Sequence, residues 1–354
     1  MTYPASLPYE PAAPPDPAQL PDPVQVLLLV TAKWTSRAIS AAAKLGVADL
    51  LAEGPKPVEE LARATGTDSR MLYRVLRCIA AVGIFAELPD GRIALTPLAE
   101  YLRSDVPGTM RHFAIMTGED FMWRPYGHLV DAMKTGKQPF EHVYGQRVFE
   151  YMESHPELEA VFNNAMTSFT ERAAVEIALD YDFSPFSVIA DLGGGHGHLL
   201  GSILAEYPDI TGVLMDRPQV VDGALPVLQR LGVEERVRRF GGDFFKGVPE
   251  GADAYILRTV LHDWSDDESI AILTNVRRAI GANSEARLLI METVVSTGNE
   301  WDYGKIMDIE MMVNVGGQER TEDEWRRLLE LSGFELESVS ETLPPTSILA
   351  GRPA

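Results

Sequence analysis

The stretch ADLGGGHGHLL, residues 190–200, decides the fold of this chain. An apolar run, SVIADLG, leads into it, and HLLGSILAEYP follows it with apolar residues at helical spacing. This pattern predicts a strand, a glycine-rich turn and a helix. Because Gly193, Gly195 and Gly197 carry no Cβ atom, the turn can bring its backbone close to a ligand.

The same alternation continues along the carboxyl-terminal half of the chain. The apolar runs GVLMD, VRRFGGD, AYILRTV and RLLIMETVV alternate with the helical patterns HLLGSILAEYP, VVDGALPVLQRLG and SDDESIAILTNVRRAIG. Ser265 with Glu268, and Thr321 with Glu324, predict capping boxes at two helix starts. The alternation predicts a parallel sheet with helices on both faces, which binds ligands at the carboxyl ends of its strands.

The glycine run does not match the dinucleotide fingerprint G-x-G-x-x-G. A register that begins at Gly193 places His198 in the last position, and one that begins at Gly195 places Leu200 there. The usual spacing for a pyrophosphate at the helix N-terminus is therefore absent. The side chains at the neighbouring strand ends therefore carry the information about which ligand binds.

Three aspartates stand at successive predicted strand ends, namely Asp191, Asp216 and Asp243. Asp216 could accept hydrogen bonds from ribose hydroxyls, and Asp243 from an adenine amino group, with the rings of Phe244 and Phe245 packed on the base. Each acid taken singly is equally consistent with a helix cap or a solvated turn. Together they oppose a polyphosphate and favour a cationic nucleoside such as S-adenosylmethionine.

The amino-terminal part of the sequence is organised differently. Residues 1–23 hold eight prolines and neither Lys nor Arg, which predicts a disordered tail. Residues 24–105 read as helices followed by a hairpin at LPDG, an arrangement typical of a winged helix. The helix in the recognition position, DSRMLYRVLRCIAAVG, carries three arginines but is apolar on more than one face, so it favours dimerisation over DNA binding.

Composition limits the partners. The formal net charge of −21 counts against nucleic acid, which is bound through Lys and Arg, and against anionic membrane surfaces. No apolar run approaches the roughly 20 residues that span a bilayer. The single cysteine, Cys78, lies in an apolar run and predicts a buried structural thiol. We therefore expect a soluble, cytoplasmic protein with a small-molecule partner.

Residues 106–180 are predicted to be helical and rich in aromatic side chains, and to link the two parts of the chain. They could form one wall of an apolar pocket for a flat ring system, or simply core. The candidate pocket residues, from this segment and from a later one, are Met116, Phe121, Trp123, Tyr126, Met166, Phe169, Met307, Met311, Met312 and Asn314.

Taken together, DLGGGHG, LMDRPQVV, GGDFF, LHDWSDDE, METVV and GGQERTEDEW resemble the S-adenosylmethionine-dependent O-methyltransferases of the plant caffeate type and their bacterial natural-product relatives. The resemblance runs from about residue 25 to the end. It implies a Rossmann-like class I methyltransferase domain at 181–354, with a seven-stranded, mostly parallel sheet. It also implies a winged-helix dimerisation domain at 24–105 that makes the protein a homodimer.

The resemblance also assigns roles to single residues. His262 follows the fourth strand and resembles the family's general base, with Glu292 and Glu319 orienting its ring; a lone histidine there could equally face solvent. Asp263 is assigned to the acceptor. The assigned cofactor residues are Asp191, Gly193, Gly195, Gly197, Asp216, Gly242, Asp243, Phe244, Arg258, Thr170 and Trp264.

Three functions follow as hypotheses. The leading one is a metal-independent O-methyltransferase acting on a small aromatic or polyketide hydroxyl, since His196 and His198 belong to the glycine turn and lack a ligand cluster. A second keeps the fold and uses the cofactor for a non-methylating hydroxylation or cyclisation. A third is a ligand-sensing winged-helix regulator, which the acidic charge disfavours.

Overall fold

A computed structural model describes residues 20–342 and 345–354, apart from the side chains of Phe169 and Arg172. Most of the predicted tail, residues 1–19, lies outside the described part. The first helix begins at Asp22, two residues before the predicted start of the helical region, because Pro21 and Pro23 are compatible with a helix N-terminus. No helix in the described ranges is long and apolar enough to cross a membrane.

The chain divides into two compact units. The first comprises Met1–Trp123, as far as it is described, with Glu157–Phe169; the second comprises Arg124–Pro156 and Thr170–Ala354. The predicted division at residues 24–105, 106–180 and 181–354 stays a prediction. The elements of the first unit are α1 (Asp22–Lys44), α2 (Val47–Leu50), α3 (Val58–Thr65), α4 (Ser69–Ala80), β1 (Phe85–Glu87), β2 (Ile93–Leu95), α5 (Pro97–Glu100), α6 (Arg111–Met116) and α7 (Asp120–Trp123).

Helices α3 and α4 and the β1–β2 hairpin form the predicted winged helix. Gly66 ends α3 in the left-handed region, and the Asp68 side chain caps α4 by accepting from the Met71 N–H at 2.8 Å. One face of α4 is buried through Leu72 and Leu76. Its arginines are exposed, and Cys78 is half-buried rather than buried, because it lies at the margin of that face.

The second unit alternates helices with strands. Helix α11 (Pro156–Asp180) belongs to both units. The other helices of the second unit are α8 (Leu129–Thr135), α9 (Pro139–Tyr144), α10 (Val148–Glu153), α12 (His198–Glu206), α13 (Pro218–Val221), α14 (Leu225–Arg230), α15 (Asp266–Ile280), α16 (Tyr303–Glu310) and α17 (Glu322–Leu331). Its strands are β3 (Val188–Leu192), β4 (Thr211–Asp216), β5 (Val237–Gly241), β6 (Ala254–Arg258), β7 (Arg287–Thr293), β8 (Phe334–Glu341) and β9 (Thr346–Pro353).

The seven strands form one sheet in the order β5-β4-β3-β6-β7-β9-β8. Strands β3 to β7 are parallel, and β8 and β9 are antiparallel to their neighbours. Apolar cores cover both faces of the sheet. The predicted fold class is confirmed, including the mostly parallel seven-stranded sheet. Because the chain order reverses at β3, the carboxyl ends of β3, β4, β6 and β7 form a crevice where such sheets bind ligands.

Candidate active site

The glycine turn wraps against the end of β4. The N–H of Gly193 donates to the carbonyl of Met215 at 2.8 Å, and the N–H of Gly195 donates to Oδ2 of Asp216 at 2.8 Å. Gly195 has a φ of 58°, which disfavours a side chain, although a Cβ there would meet only open space. At Gly193 a Cβ would lie 2.8 Å from the Val260 side chain, so the close approach itself requires glycine.

Two acids of this edge, the half-buried Asp216 and the buried Asp191, play different parts. Asp216 accepts from the Arg217 N–H as well as from Gly195, so its carboxylate fixes the turn. Burial raises the pKa of Asp216 above its ordinary value. Burial likewise raises the pKa of Asp191 to about 7, and the opposing attraction comes from the Arg258 guanidinium.

Arg258 and Thr170 are brought together although 88 residues separate them. Nη1 of Arg258 donates to Oγ1 of Thr170 at 3.0 Å, while Nε and Nη2 are buried and have no hydrogen-bond partner. Burial lowers the pKa of Arg258, against the attraction of Asp191 and Glu292. Unpaired buried donors are costly. This arrangement therefore fits a site that an anionic or polar ligand group completes.

An aromatic cluster stands next to the turn. The ring of Trp264 lies 4.8 Å from Phe245, 5.9 Å from Phe244 and 5.9 Å from Phe149, and the Arg147 guanidinium lies 4.8 Å from the Trp264 ring centroid. Such rings offer a surface for a planar base. The sequence did not single out Phe149 or Arg147, because both come from the short helices before α11.

Gly242 and Asp243 directly follow the end of β5. The N–H of Gly242 donates to the Asp216 carbonyl at 2.9 Å, which ties this strand end to the glycine turn. Asp243 is exposed; its Oδ1 accepts from the Phe245 N–H at 2.9 Å, and its Oδ2 lies 3.1 Å from Nζ of Lys246. Its predicted contact with a base stays a prediction.

His262 lies in the short 3₁₀ turn Leu261–Asp263, between β6 and α15. Its Nδ1 is 2.8 Å from Oε1 of Glu319 and 3.5 Å from Oε2 of Glu292, and its Nε2 is 3.5 Å from Oδ1 of Asp263. Both glutamate side chains are fully buried, and that of His262 is 12% exposed. The Nδ1–Oε1 distance indicates a hydrogen bond that fixes the tautomer with its proton on Nδ1.

The side chain of Glu292, at the end of β7, orients the 3₁₀ turn of His262 by binding the backbone of that turn. Its Oε1 accepts from the N–H groups of Val260 and Leu261 at 2.9 Å and from that of His262 at 3.4 Å. A carboxylate at the N–H end of a helical turn opposes the positive end of the peptide dipoles. The buried Glu292 therefore fixes the backbone of the His262 turn and also stabilises a positive charge on the imidazole.

Electrostatics around His262 favour its protonated form. Burial works against the charged ring, but the carboxylates of Glu292, Asp263 and Glu319 together outweigh it and raise the pKa of His262 to about 10. Burial raises the pKa of Asp263 to about 7, although the attraction of His262 opposes the rise. The arrangement makes the neutral imidazole a strong base, but the ring is neutral in only a small fraction of molecules at a pH well below 10.

The loop that carries Glu319 approaches the 3₁₀ turn of His262 very closely. A Cβ on Gly317 would lie 1.9 Å from the carbonyl oxygen of His262, so only glycine fits there. The N–H of Gln318 donates to that carbonyl at 2.9 Å, and the N–H of Glu319 donates to Oδ1 of Asp308 at 2.9 Å. A π turn at Met311–Val315 precedes the loop, and such turns occur often at functional sites.

His262, Glu292 and Glu319 are also the one group in the described part of the chain that could hold a metal ion, with ligand atoms within 4.8 Å of one another. The resemblance grouped the same three residues as a base and its two orienting carboxylates, not as metal ligands. Nδ1 of His262 is already engaged by Glu319, and Oε1 of Glu292 by backbone N–H groups. Oε2 of Glu292 and Oε2 of Glu319 are buried without a hydrogen-bond partner, and the former lies 3.5 Å from Nδ1 of His262.

The candidate acceptor residues fall in both units. Met307, Met311 and Asn314 share one side of α16 and the π turn, and Asn314 Nδ2 donates to Oε1 of Glu310 at 2.8 Å. Glu310 was missed, although its spacing from Met307 and Asn314 would have placed it on that side. Tyr126 also donates a hydrogen bond to Glu310.

The remaining acceptor candidates stay predictions. Met116 and Phe121 are buried within the first unit, to which Trp123 and Met166 also belong. The side chain of Phe169 lies outside the described part of the structure, and the partly buried Met312 belongs to the π turn.

The chain matches two family descriptions. The O-methyltransferase domain matches residues 126–335, and the O-methyltransferase dimerisation domain matches residues 27–105. Since the first match covers more than half of the chain, this protein belongs to the O-methyltransferase family. The resemblance drawn from the sequence motifs is confirmed.

Similar proteins differ in the atom that they methylate. The chain is 44% identical over 328 residues to phenazine O-methyltransferase PhzM of Lysobacter antibioticus, covering 93% of this chain and 95% of that protein. It is 38% identical over 298 residues to 8-amino-8-demethylriboflavin N,N-dimethyltransferase of Streptomyces davaonensis, covering 84% of this chain and 85% of that protein.

A solved structure extends the comparison to ligands. An O-methyltransferase (NcsB1) from neocarzinostatin biosynthesis, in complex with S-adenosylmethionine and 2-hydroxy-5-methyl naphthoic acid, superposes with a TM-score of 0.78 at 30% identity, covering 91% of this chain and 96% of that chain.

Proposed function

We propose that this protein is an S-adenosylmethionine-dependent O-methyltransferase that methylates a hydroxyl of a small aromatic or polyketide natural product. The observation that carries the proposal is the His262 imidazole, hydrogen-bonded to the buried Glu319 at 2.8 Å and following the strand that carries Arg258. Bound S-adenosylmethionine would supply an electrophilic methyl group on its sulfonium. The cofactor would lie against the glycine turn, Asp216 and Asp243, with Arg258 and Thr170 toward its polar end.

The residues around His262 support general-base assistance. In the fraction of molecules whose imidazole is neutral, which grows as the pH rises toward 10, an acceptor hydroxyl would give its proton to Nε2 of His262. The acceptor oxygen would take the methyl group as its bond to sulfur breaks and S-adenosylhomocysteine leaves. The proton on Nδ1 remains hydrogen-bonded to Glu319, and the carboxylates of Glu292 and Asp263 stabilise the imidazolium that forms. The rest of the rate would come from holding the oxygen in line with the sulfonium methyl.

The acceptor class is supported by the relatives. Two relatives are named for a phenazine and a riboflavin, and the third structure holds a hydroxynaphthoic acid; each of these compounds contains a planar ring system. Met307 of α16, with the buried Met311 and Asn314 of the π turn, would supply two polarizable thioethers and one amide next to such a ring. Because one relative methylates an amino nitrogen, N-methylation is the second candidate function.

We also propose a homodimer formed through the dimerisation domain, with no nucleic-acid or membrane partner. Helix α1 exposes a row of large apolar side chains, of which Leu29 is 77% and Trp34 64% exposed. Such a surface is typical of an interface. Light scattering should give twice the chain mass of 39.0 kDa, and Leu29→Glu should lower it toward one chain. A single-chain mass for the wild type would contradict the dimer.

Calorimetric titration tests the cofactor first. S-adenosylmethionine and S-adenosylhomocysteine should bind, and NAD should not; binding of NAD alone would overturn the proposal. Methyl-labelled S-adenosylmethionine should then be incubated with a hydroxyphenazine, 2-hydroxy-5-methyl naphthoic acid and 8-amino-8-demethylriboflavin. Label on a hydroxyl oxygen supports O-methylation, and label only on the amine supports the second candidate.

The same incubation separates the remaining alternatives. A converted acceptor without label would support a reaction that retains the methyl group. Transfer to none of the three acceptors would contradict the proposed acceptor class. Rates that persist in excess EDTA are expected for a metal-independent enzyme, and their loss would contradict that part of the proposal.

A further inference from the structure

Among the described residues, Arg320 is the largest charged side chain that is fully buried, with 0% exposure. It stands in the motif GGQERTEDEW, but neither the resemblance nor the proposed mechanism gives it a role. It follows Glu319 directly in the chain. Its five N–H groups have five acceptors at 3.0 to 3.4 Å, namely Oδ1 of Asp266, the carbonyls of Leu261, Gln318 and Trp264, and Oγ of Ser269.

Two of these acceptors bracket His262. The carbonyls of Leu261 and Trp264 lie on either side of the histidine in the chain, and each accepts from Arg320 at 3.0 Å. At the opposite end of the same turn, Glu292 accepts from the N–H groups of Val260 and Leu261. The turn is therefore held by a carboxylate at its N–H end and by a guanidinium at its carbonyl end, which matches the direction of its peptide dipoles.

The backbone of Arg320 ties the same residue to the strand of Glu292. The Arg320 carbonyl accepts from the Val295 N–H at 2.9 Å, just beyond the end of β7. One residue thus connects the strand end that carries Glu292, the loop that carries Glu319 and the turn that carries His262. A displacement of Arg320 would change the distance between the imidazole and its carboxylate partner.

We propose that Arg320 is a positioning residue for His262, which fixes the hydrogen bond between the imidazole and Glu319 by clamping the carbonyl end of the turn. The inference rests on the proposed role of His262 as the base. Lysine cannot replace the guanidinium, because a compact ammonium offers three donors and does not reach five separated acceptors.

The test is a titration of the histidine side chains by NMR in the full-length protein without cofactor or acceptor, so it does not depend on the methyl-transfer assay. The protein carries ¹³Cε1-labelled histidine, and His262→Gln assigns the His262 signal among the seven histidines. In the wild type this signal should remain that of a protonated ring well above neutral pH. In Arg320→Met the titration midpoint should move down by about one pH unit or more, because the carboxylate partner is no longer held.

Arg320→Lys should give an intermediate midpoint, and Arg326→Met is the matched control. Arg326 is an exposed arginine of α17 that pairs with Glu322 at 2.7 Å and does not contact the turn. An unchanged or raised midpoint in a folded Arg320→Met or Arg320→Lys protein would overturn the proposal. If Arg320→Met does not fold, Arg320→Lys alone decides, with the melting temperature in S-adenosylhomocysteine showing that the cofactor site is intact.

Failure of the positioning role and failure of the base role give different results. If His262 is not the base, His262→Gln keeps its methyl-transfer rate while the midpoint still moves in Arg320→Met. If His262 is the base but Arg320 does not position it, the rate falls in His262→Gln and the midpoint stays in Arg320→Met. A methyl-transfer loss of about 10- to 100-fold is expected for Arg320→Met.

Discussion

Around His262 the backbone at both ends of the turn is paired within the protein, whereas Arg258, at the end of the preceding strand, keeps two buried nitrogens without a partner. The backbone of the first region is held within the protein, although Oε2 of Glu292 and Oε2 of Glu319 have no hydrogen-bond partner there, and we expect a ligand to complete the second region. Catalytic groups gain from being fixed in advance, because no reorganisation is needed during the reaction. Unpaired buried donors favour ligand binding, because a ligand that accepts from them removes the free-energy cost that they carry in the free protein.

Replacement of His262 should produce the largest effect. His262→Ala should lower the rate of methyl transfer by about 10²- to 10⁴-fold, which is the usual contribution of a general base. Binding of S-adenosylhomocysteine should stay within about twofold, because the turn is held by its backbone. The rate is measured on an acceptor that the wild type methylates, and the binding of S-adenosylhomocysteine is measured by calorimetry. An unchanged rate would mean that the prearranged region is not catalytic.

Gly317→Ala changes the packing between the Glu319 loop and the His262 turn. The new Cβ would lie 1.9 Å from the His262 carbonyl, so the Glu319 loop and the turn must separate. A loss of about 100-fold in kcat is expected from such a misplacement. Gly127→Ala is the control, since a Cβ there meets nothing within 4 Å. A kcat equal to that of the control would show that the turn tolerates movement.

Glu319→Gln tests the charge rather than the shape of the region. The carboxylates hold the pKa of His262 near 10, so the free base increases as the pH rises toward that value. With one carboxylate removed the pKa falls, and the rising limb of kcat/KM should move to lower pH while the plateau falls about 10- to 100-fold. The exposed Glu322→Gln should leave the profile in place. A limb that moves to higher pH would contradict the assigned partner.

Arg258→Met tests whether the buried, unpaired nitrogens of Arg258 bind the cofactor. The Kd for S-adenosylhomocysteine should rise about tenfold, which corresponds to ~1.4 kcal/mol. The melting temperature should fall as well, because the buried carboxylates of Asp191 and Glu292 lose the cation that attracts them. Arg352→Met, at a half-exposed arginine paired with Glu335, should leave the Kd unchanged. A Kd that equals the control value would assign Arg258 to folding alone.

The sequence predicted the sheet and the strand-end residues well because both follow from local periodicity. Asp191, Asp216 and His262 come together since the ends of parallel strands meet at one edge, whatever the length of the connections. The capping boxes at Ser265 and Thr321 are confirmed for the same reason, as each is complete within four residues.

Other features depend on distant parts of the chain and could not be predicted. Arg320 lies in a polar stretch, where an arginine is usually exposed, and only the packing of Trp325, β7 and the His262 turn buries it. The pairing of Arg258 with Thr170 joins a strand to a helix 88 residues earlier. Single-sequence patterns carry no information about such distances.

The order of the sheet has a consequence for synthesis on the ribosome. Strand β9 is the last in sequence order but lies between β7 and β8, with which it pairs over Leu288–Thr293 and over Phe334–Glu341. Until residues beyond 346 have been made, the edges of both neighbouring strands lack their hydrogen-bond partner, and exposed strand edges promote aggregation. The nascent chain therefore carries Glu292 at an open sheet edge until Ser347 and the rest of β9 have left the ribosome, so the strand that holds the His262 turn is paired late.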